Sequence, residues 1–279
     1  MTKRNAITQR GFPTTSDAQL SLPLTPDHLR AVPWVALRSA LFAPVKRGAR
    51  DLLSRQPLAT VGDDWKIIYS GARLDQADLD VLEQVLHIAR TGTLGELIQF
   101  RTRDMLQALN RSTGKSDRDW LLASLARLQA CAIEFKSSKD PSRSYTGSLI
   151  QEQGRVDAED GTSGKHFVAI NPRLTSLYSA GYTQLDWNER MALGSNQLAK
   201  WLHGFMHQGG PLTWKVENLR ALSNSNYARD RDFRDAMNSA AAAVNAVRKT
   251  RKLLLKWDKD KVTMTVVHAE KVIEPPAEA

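Results

Sequence analysis

The feature that most constrains this chain is a short phrase that it contains twice. After Ala108-Leu109 and seven intervening residues comes Asp117-Arg118-Asp119-Trp120. After Ala221-Leu222 and seven intervening residues comes Asp230-Arg231-Asp232-Phe233. Matched positions lie 113 residues apart, which is the size of a small domain and too long for a solenoid unit. The repetition therefore predicts two related domains in tandem.

Each copy has the pattern of one helix ending, a polar turn, and a second amphipathic helix beginning. This is the helix-turn-helix plan, whose second helix enters the DNA major groove. Arg118 and Arg231 fall in the first turn of the second helices, where an arginine can read guanine O6 and N7. The flanking aspartates suit the positive end of a helix dipole. One copy alone would favour a capped surface helix, but two copies, each followed by basic β-hairpin sequence, favour DNA binding.

Composition narrows the class of protein. A length of 279 residues suits two domains, and 42% hydrophobic with 25% charged residues is ordinary for a globular protein. The net charge of +9 indicates nucleic acid or another anionic surface as a partner. A single cysteine, Cys131, excludes an internal disulfide framework and a cysteine-rich zinc site. With no membrane-length apolar run and no secretory signal, we expect a cytoplasmic protein that binds no membrane.

The predicted fold class is α+β, with two tandem winged-helix domains. A disordered tail is expected at residues 1–27, the first domain at 28–171, the second at 172–268, and a disordered C-terminal tail at 269–279. Pro172 marks the boundary between the domains.

In the first domain, apolar spacing predicts a helical segment over 28–55, a β-hairpin over 58–70, a helix over 75–89 and a strand at 97–100. Thr102 is expected to cap the next helix. The recognition helix should run over 117–130, with Leu121, Leu125 and Leu128 inward. A three-stranded wing is predicted from 131–137, 145–153 and 166–170.

The second domain repeats this plan. One long helix should end at His203, followed by a strand at 212–216 and a helix at 217–222. The second recognition helix is predicted over 230–247, and a basic hairpin over 253–257 and 262–267. The buried stripe of this helix is Phe233, Met237, Ala240 or Ala241, and Val244.

The predicted DNA contacts follow from these helices and wings. Contacts to bases or to the backbone are expected from Arg111, Lys115, Ser116, Arg118, Asn226, Arg229, Arg231, Arg234 and Asn238. Phosphate contacts from the wings are expected from Lys139, Arg143, Lys252 and Lys256.

One apolar island interrupts the N-terminal tail. It comprises Gln19, Leu20, Ser21, Leu22, Pro23 and Leu24. A short apolar peptide in a disordered tail has no core to join, so it is a candidate docking motif. It resembles the hexapeptide with which bacterial proteins bind the sliding clamp of the replicative polymerase, in which Gln19 would enter a polar pocket and Leu22 with Leu24 a hydrophobic one. The alternative is an unremarkable leucine-rich tail.

Motifs that would indicate an enzyme fail on spacing. Gly114-Lys115-Ser116 lacks the earlier glycine and the preceding strand of a P-loop. His203 and His207 have the spacing of H-E-x-x-H, but Gly204 replaces the glutamate and no third ligand is evident. We therefore expect no catalytic residues, no metal and no cofactor.

Phrases spread along the chain resemble the TrfA family of plasmid replication initiators. They are 38–42 (RSALF), 69–74 (YSGARL), 86–90 (LHIAR), 127–130 (RLQA), 148–150 (SLI), 182–187 (YTQLDW) and 201–204 (WLHG). The resemblance covers about residues 28 to 268. The tail peptide stands where the family carries a clamp-binding peptide, although it ends Leu22-Pro23-Leu24 where other members end Leu-Phe. The second-domain turn, 223–229, also departs from the family pattern.

The resemblance implies binding to repeated sites (iterons) in a plasmid origin, promotion of origin opening and no enzymatic activity. The implied partners are double-stranded origin DNA, the single strand exposed on opening, the host sliding clamp, the replicative helicase and the host initiator. A homodimer and a monomer both stay open as the active form. The main alternative function is a winged-helix transcriptional or plasmid copy-control regulator, and a distant third is a nuclease.

Overall fold

The computed structural model describes residues 22–45, 48, 50–92, 95–138, 144–156, 164–207, 211–225 and 227–268, and it is a mixed α/β fold. Within these residues the α-helices are α1 (Trp34–Leu37), α2 (Gln76–Ala89), α3 (Thr102–Ala108), α4 (Lys115–Ala130), α5 (Trp187–Ala192), α6 (Gln197–Phe205), α7 (Val216–Leu222) and α8 (Asp230–Val247). The strands are β1 (Leu29–Pro33), β2 (Leu52–Leu58), β3 (Trp65–Ala72), β4 (Leu97–Arg101), β5 (Ala132–Ser137), β6 (Tyr145–Gly147), β7 (Glu152–Val156), β8 (Lys165–Ala169), β9 (Tyr182–Asp186), β10 (Leu212–Lys215), β11 (Arg251–Asp258) and β12 (Lys261–His268). Short 3₁₀ helices cover Ala40–Phe42 and Pro172–Ala180. None of the described helices is both long and apolar enough to cross a membrane.

The strands form antiparallel sheets in the orders β1-β9, β2-β3-β5-β6, β4-β8-β7 and β10-β12-β11. One succession of elements occurs twice. We call α2, β4, α3, α4, β7 and β8 the first module, and α6, β10, α7, α8, β11 and β12 the second module. In each, the strand before the helix pair is hydrogen-bonded to the last strand of the hairpin, β4 to β8 and β10 to β12. The four-stranded sheet has no counterpart among the described residues of the second module.

Two hydrophobic clusters form the core. The first contains α2, the buried face of α4 (Leu121, Leu125 and Leu128) and the inner face of the four-stranded sheet. The second contains α6 and the predicted buried stripe of α8, which packs on Leu253, Val262 and Met264 of the hairpin. The stripe is confirmed residue by residue, since Phe233, Met237, Ala240, Ala241 and Val244 are all buried.

The boundary between the clusters lies later in the chain than the predicted domain boundary at Pro172. Strand β9 pairs with β1, so Leu185 joins the first cluster, as do Trp187 and Met191 of the following helix. Leu193 is the first residue of the second cluster along the chain. The segment after Pro172 therefore completes the first core before the second begins.

The helical segment predicted over 28–55 is wrong. The spacing of Leu29 and Val32 is helical, but strand β1 is buried from Arg30 to Pro33 and therefore shows no alternation. Pro33 ends that strand and precedes the single turn of α1. The far end of the segment enters β2, which forms the predicted hairpin with β3 from an earlier start than expected.

The predicted three-stranded wing of the first domain is also wrong. Strands β5 and β6 join β3 in the four-stranded sheet, whereas β7 and β8 form a separate hairpin beside β4. Strands β5 and β8 have alternating burial, so the pattern identified strands without identifying their partners.

Two helix boundaries also differ from the prediction. Thr102 does not cap α3; it lies inside the helix and donates its hydroxyl proton to the carbonyl oxygen of Gly164 at 2.9 Å. The long helix predicted up to His203 is two helices, α5 and α6. Gly194, with φ of +57°, follows α5, and Asn196 caps α6 by accepting from the backbone N–H of Ala199 at 3.0 Å.

Candidate nucleic-acid interface

The turn before α4 is organised by one carboxylate, that of Asp117. Its oxygens accept hydrogen bonds from Arg111 Nη1 at 2.6 Å and from the hydroxyl of Ser112, and these bonds lower the pKa of Asp117. The Arg111 guanidinium also lies over the Trp120 ring, 3.5 Å from its centroid. Arg111 is therefore held against its own module, with its ionic partner in the first turn of α4.

The other predicted residues of this turn divide between bound and exposed side chains. Arg118 is half-buried and donates from Nε to the carbonyl oxygen of Thr113 at 2.9 Å. Lys115 and Ser116, at the first positions of α4, are exposed. Along the helix, the exposed stripe that begins at Ser116 continues through Asp119, Ala123, Ala126 and Ala130. This surface offers few groups that could read a base edge.

The outer face of α8 has a different chemistry. Arg231 is 87% exposed, and its nearest carboxylate, Asp235, is 3.8 Å away and itself exposed. Asn238 and Ser239 follow on the same exposed side. Arg229, just before the helix, pairs with Asp232 at 3.0 Å and is 77% exposed. Arg229 and Arg231 can exchange their aspartate partners for the phosphates of a polyanion, because exposed ion pairs contribute little energy.

Two predicted contact residues of α8 also join it to the hairpin. Arg234 donates to the carbonyl oxygen of Lys259 and lies 5.5 Å from the ring centroid of Trp257. Asn238 accepts from Trp257 Nε1 at 2.9 Å. The hairpin is thereby fixed beside the exposed face of α8.

The repeated phrase does not place equivalent residues at equivalent sites. Phe233 is fully buried, but Trp120, its match in the phrase, is only half-buried, and Leu121 takes the buried position in α4. When the helices are aligned by their buried residues, Asp119 and not Arg118 corresponds to Arg231. This explains why one arginine is held by the turn and the other faces solvent.

The hairpin β11–β12 carries several lysines, which differ in their exposure to solvent. The ammonium of Lys252 donates to the carbonyl oxygens of Asn245 at 2.6 Å and Arg248 at 3.0 Å, so it faces the protein. Lys256, Lys259 and Lys261 are exposed along the strand and at the tip. The lysines at the tip, Lys259 and Lys261, extend the same basic edge, which agrees with the basic hairpin predicted from the sequence.

A second basic surface lies on the four-stranded sheet and was missed by the sequence reasoning. Lys66 and Lys136 are cross-strand partners, both exposed, and Arg55 nearby pairs with Glu134. Like charges directly opposite each other on a sheet are destabilising. The signal was not visible in the sequence because it requires the pairing of β3 with β5.

Several predicted residues lie outside the described part of the chain. They are Lys139, Arg143, Asn226 and, from the tail peptide, Gln19, Leu20 and Ser21. The end of the peptide is described, and it differs from the expectation of a tail without a core. Leu22 is 5% exposed and packs in the first cluster, whereas Leu24 is 76% exposed. Leu22 lines a small cavity together with Leu86 and His87 of α2 and with Arg90, the residue after this helix.

The two histidines with metal-like spacing are packed in the core. His203 Nε2 lies 3.2 Å from Glu189 Oε2, and the ring centroids of His203 and His207 are 5.8 Å apart. Burial lowers the pKa of His203 to about 4 and that of His207 to about 3. Within the described ranges, no group of three or more histidine, cysteine or acidic residues is arranged to hold a metal ion.

Comparison with known proteins relates this geometry to a family. The family model described as TrfA protein matches residues 2–268. The plasmid replication initiator protein TrfA of Escherichia coli is 30% identical over 219 residues, which are 77% of this chain and 56% of the relative. The chain thus spans about half the length of the curated relative it matches.

A solved structure shows a similar fold. A crystal structure of domain 2 and domain 3 of RctB superposes with a TM-score of 0.51 at 12% sequence identity, covering 80% of this chain and 94% of that one. The likeness concerns the mixed α/β fold alone.

Proposed function

The chain belongs to the TrfA family of plasmid replication initiators, and we propose that it initiates plasmid replication by binding repeated sites in an origin. In this proposal both modules are winged-helix domains, α4 and α8 are their recognition helices, and the domains meet between Met191 and Leu193. The protein acts without catalysis, through DNA binding and recruitment. It would then promote origin opening and bind the exposed single strand.

The observation that carries the proposal is the surface of the second module. The first turn of α8 presents Arg231 at 87% exposure, beside a hairpin whose tip lysines are exposed. Arginine on a recognition helix reads guanine, and lysines on a wing bind phosphates. The net charge of +9 favours association with DNA as a polyanion.

The first module would add phosphate contacts more than base contacts. Lys115 and Ser116 are exposed at the start of α4, where a helix N-terminus favours a phosphate. Arg118 and Arg111 would need to leave Thr113 and Asp117 to reach DNA. Two linked modules multiply their affinities through effective concentration, so a weak first module still matters.

Recruitment of host proteins is the second part of the proposal. The peptide from Gln19 to Leu24 would bind the sliding clamp, and the replicative helicase and host initiator would be further partners. Leu24 is exposed and ready for such contact, while Leu22 would have to leave the core. Full engagement of the peptide would therefore detach this segment from α2.

The test is binding of the purified chain to direct repeats from the origin of the plasmid that encodes it, with immobilised sliding clamp as a second analyte. The proposal predicts tight, salt-sensitive binding to the repeats, and clamp binding that Gln19→Ala and Leu24→Ala abolish without changing DNA affinity. Both variants avoid the buried Leu22, so a folding defect would not imitate the loss.

Binding to a promoter palindrome without clamp binding would contradict the initiator and favour a transcriptional or copy-control regulator. Magnesium-dependent cleavage of the repeats would contradict the non-catalytic part of the proposal.

A further inference from the structure

Helix α2 of the first module packs between α4 and α6 and presents a buried carboxylate to each side. Asp78 and Asp80 are 0% and 3% exposed. Two positions apart on an α-helix correspond to a rotation of about 200°, so these side chains leave the helix in nearly opposite directions. A buried carboxylate must be paired, and its geometry is then strongly fixed.

Asp78 binds α4. Its Oδ1 accepts from the hydroxyl of Ser124 at 2.6 Å and from Arg127 Nη2 at 2.7 Å. Its Oδ2 accepts from Arg50 Nη1 at 2.9 Å and from the backbone N–H of Asp75 at 3.1 Å. The recognition helix of the first module is thus fixed to α2 by charge-assisted hydrogen bonds.

Asp80 binds α5 at the end of the first cluster and α6 in the second. Its Oδ1 accepts from Arg190 Nε at 2.5 Å, and its Oδ2 accepts from Lys200 Nζ at 2.6 Å. Arg190, which is fully buried, also donates from Nη1 to the carbonyl oxygen of Lys200 at 3.1 Å and from Nη2 to Gln76 Oε1 at 3.0 Å. Close packing reinforces the join, because an added Cβ on Gly204 of α6 would come within 2.7 Å of Leu37 Cδ2.

The contacts continue from α6 to α8. Arg248, which follows α8 and is 2% exposed, donates from Nη2 to the carbonyl oxygens of His203 and Met206, each at 3.0 Å. These carbonyls are at the C-terminal end of α6, where a cation is favoured. A connected series of buried polar contacts therefore runs from α4 through α2 and α6 to α8.

We propose that Asp80 is a positioning residue that fixes the separation and angle between α4 and α8, and thereby selects the spacing between two half-sites in one DNA site. The inference rests on the proposed function, since it requires that both helices bind the same duplex. Linked modules gain affinity only when their geometry allows simultaneous binding. One inserted base pair rotates the second half-site by about a tenth of a turn, so a rigid protein must discriminate against it.

The experiment uses a duplex selected by the wild-type chain from a randomised pool. Base pairs are then inserted or deleted between the two footprinted halves, and binding is measured for the wild type and for Asp80→Asn. We expect the wild type to lose about tenfold or more in affinity for each wrong spacing. Asp80→Asn should bind the optimal spacing more weakly and show a flattened dependence on spacing, while its affinity for each isolated half-site is unchanged.

Three further variants separate positioning from stability. Asp80→Glu keeps the charge and should restore most of the spacing preference. Ile133→Val, in the buried face of β5 and away from the junction, should lower the urea midpoint without changing the preference. Gln197→Ala removes only the acceptor for the Gln76 N–H, which is 2.9 Å away, and should flatten the preference slightly even where Asp80→Asn proves unfolded.

The inference would be overturned if Asp80→Asn were folded and its affinity depended on half-site spacing as that of the wild type does. It would also be overturned if the wild type bound every spacing equally well. Failure of the wild type to enrich any duplex would instead overturn the proposed function, and this inference with it.

Discussion

The two modules share one order of elements and differ in what they show to solvent. The exposed stripe of α4 consists of Ser116, Asp119 and three alanines, whereas that of α8 begins with Arg231 and continues through Asp235 and Asn238. The arginine of the repeated phrase is bound to a turn carbonyl in the first module and exposed in the second. Equal topology therefore does not imply equal chemistry, and base readout should rest mainly on the second module.

The modules also differ in what supports them. The first module is attached to a four-stranded sheet and to the β1–β9 pair. The described strands of the second module form only its own hairpin sheet, and this module packs on the rest of the chain through α6, Ala59 and Val61. The first module thus has the larger support, and its helix α4 exposes fewer groups that could read a base edge. We infer that it supplies the frame on which the second module is positioned.

The largest expected effect is on stability, at the aromatic of the repeated phrase. Phe233→Ala should lower the free energy of unfolding by about 3–5 kcal/mol, because the side chain is fully buried. Trp120→Ala should cost less than half of this, since Trp120 is half-buried at the edge of the first cluster, with one ring face on the Arg111 guanidinium. Urea denaturation followed by circular dichroism measures both. Equal losses would show that the two positions are equivalent after all.

The next effect is on DNA recognition. Arg231→Ala should lower affinity for the selected duplex by about 1–3 kcal/mol and relax specificity at one position. Arg118→Ala should cost less, because its guanidinium is bound to Thr113 and half-buried. Asp235→Ala serves as the matched control on the same face. Competition titrations with specific and scrambled duplexes measure the specificity of each variant. A larger loss of specificity for Arg118→Ala than for Arg231→Ala would contradict the prediction.

A third difference between the two modules is how their stability depends on pH. Burial raises the pKa of Glu83 in α2 to about 8, against the opposing influence of Arg190 and Arg30. The folded state therefore holds a proton that the unfolded chain releases near pH 4.5, so stability falls as pH rises from that value toward 8. Glu83→Gln should remove this slope, and the variant should gain stability relative to the wild type at pH 8. Urea midpoints at pH 6 and pH 8 test it; parallel slopes for the two proteins would rule it out.

His203 gives the second module the opposite trend. Its pKa is lowered to about 4 by burial, so the folded state resists protonation and stability falls as pH drops from 6.5 toward 4.

The smallest expected effect separates two lysines of one hairpin. Lys256→Ala should weaken binding to all sequences alike and reduce the slope of log affinity against log salt by about 1. Lys252→Ala should leave that slope nearly unchanged, because its ammonium faces Asn245 and Arg248. Salt titrations on a random duplex measure both slopes, and a larger change for Lys252→Ala would contradict the assignment.

The sequence predicted secondary structure well where the hydrophobic periodicity of a segment agrees with the turn-forming residues at its ends. The bounds of α8 and the burial of Phe233 and Met237 follow from strong helical spacing, and the hairpin after α8 follows from alternation around a polar turn. Pairing between distant strands was not predictable, because β5 could join β3 or β8 with the same alternation. The buried place of Leu22 and the ion pairs of Asp80 also depend on segments far apart in the chain.

The sequence predicted which helices and strands carry the candidate site. It did not predict which of their basic side chains are exposed and which are already hydrogen-bonded within the protein. Arg111, Arg118 and Lys252 have the right positions for DNA contact and are bound by neighbouring groups of the protein. A sequence shows that a cation is present and cannot show which carbonyl or carboxylate already holds it.

The most direct test of the central claim is guanine N7 methylation interference on the selected duplex, comparing the wild type with Arg231→Ala. Methylation at N7 blocks an arginine from reading that base in the major groove. We expect one or two guanines to lose interference in Arg231→Ala while the rest of the pattern stays, and we expect Arg118→Ala to leave the pattern intact. An unchanged pattern for Arg231→Ala would contradict base readout by α8.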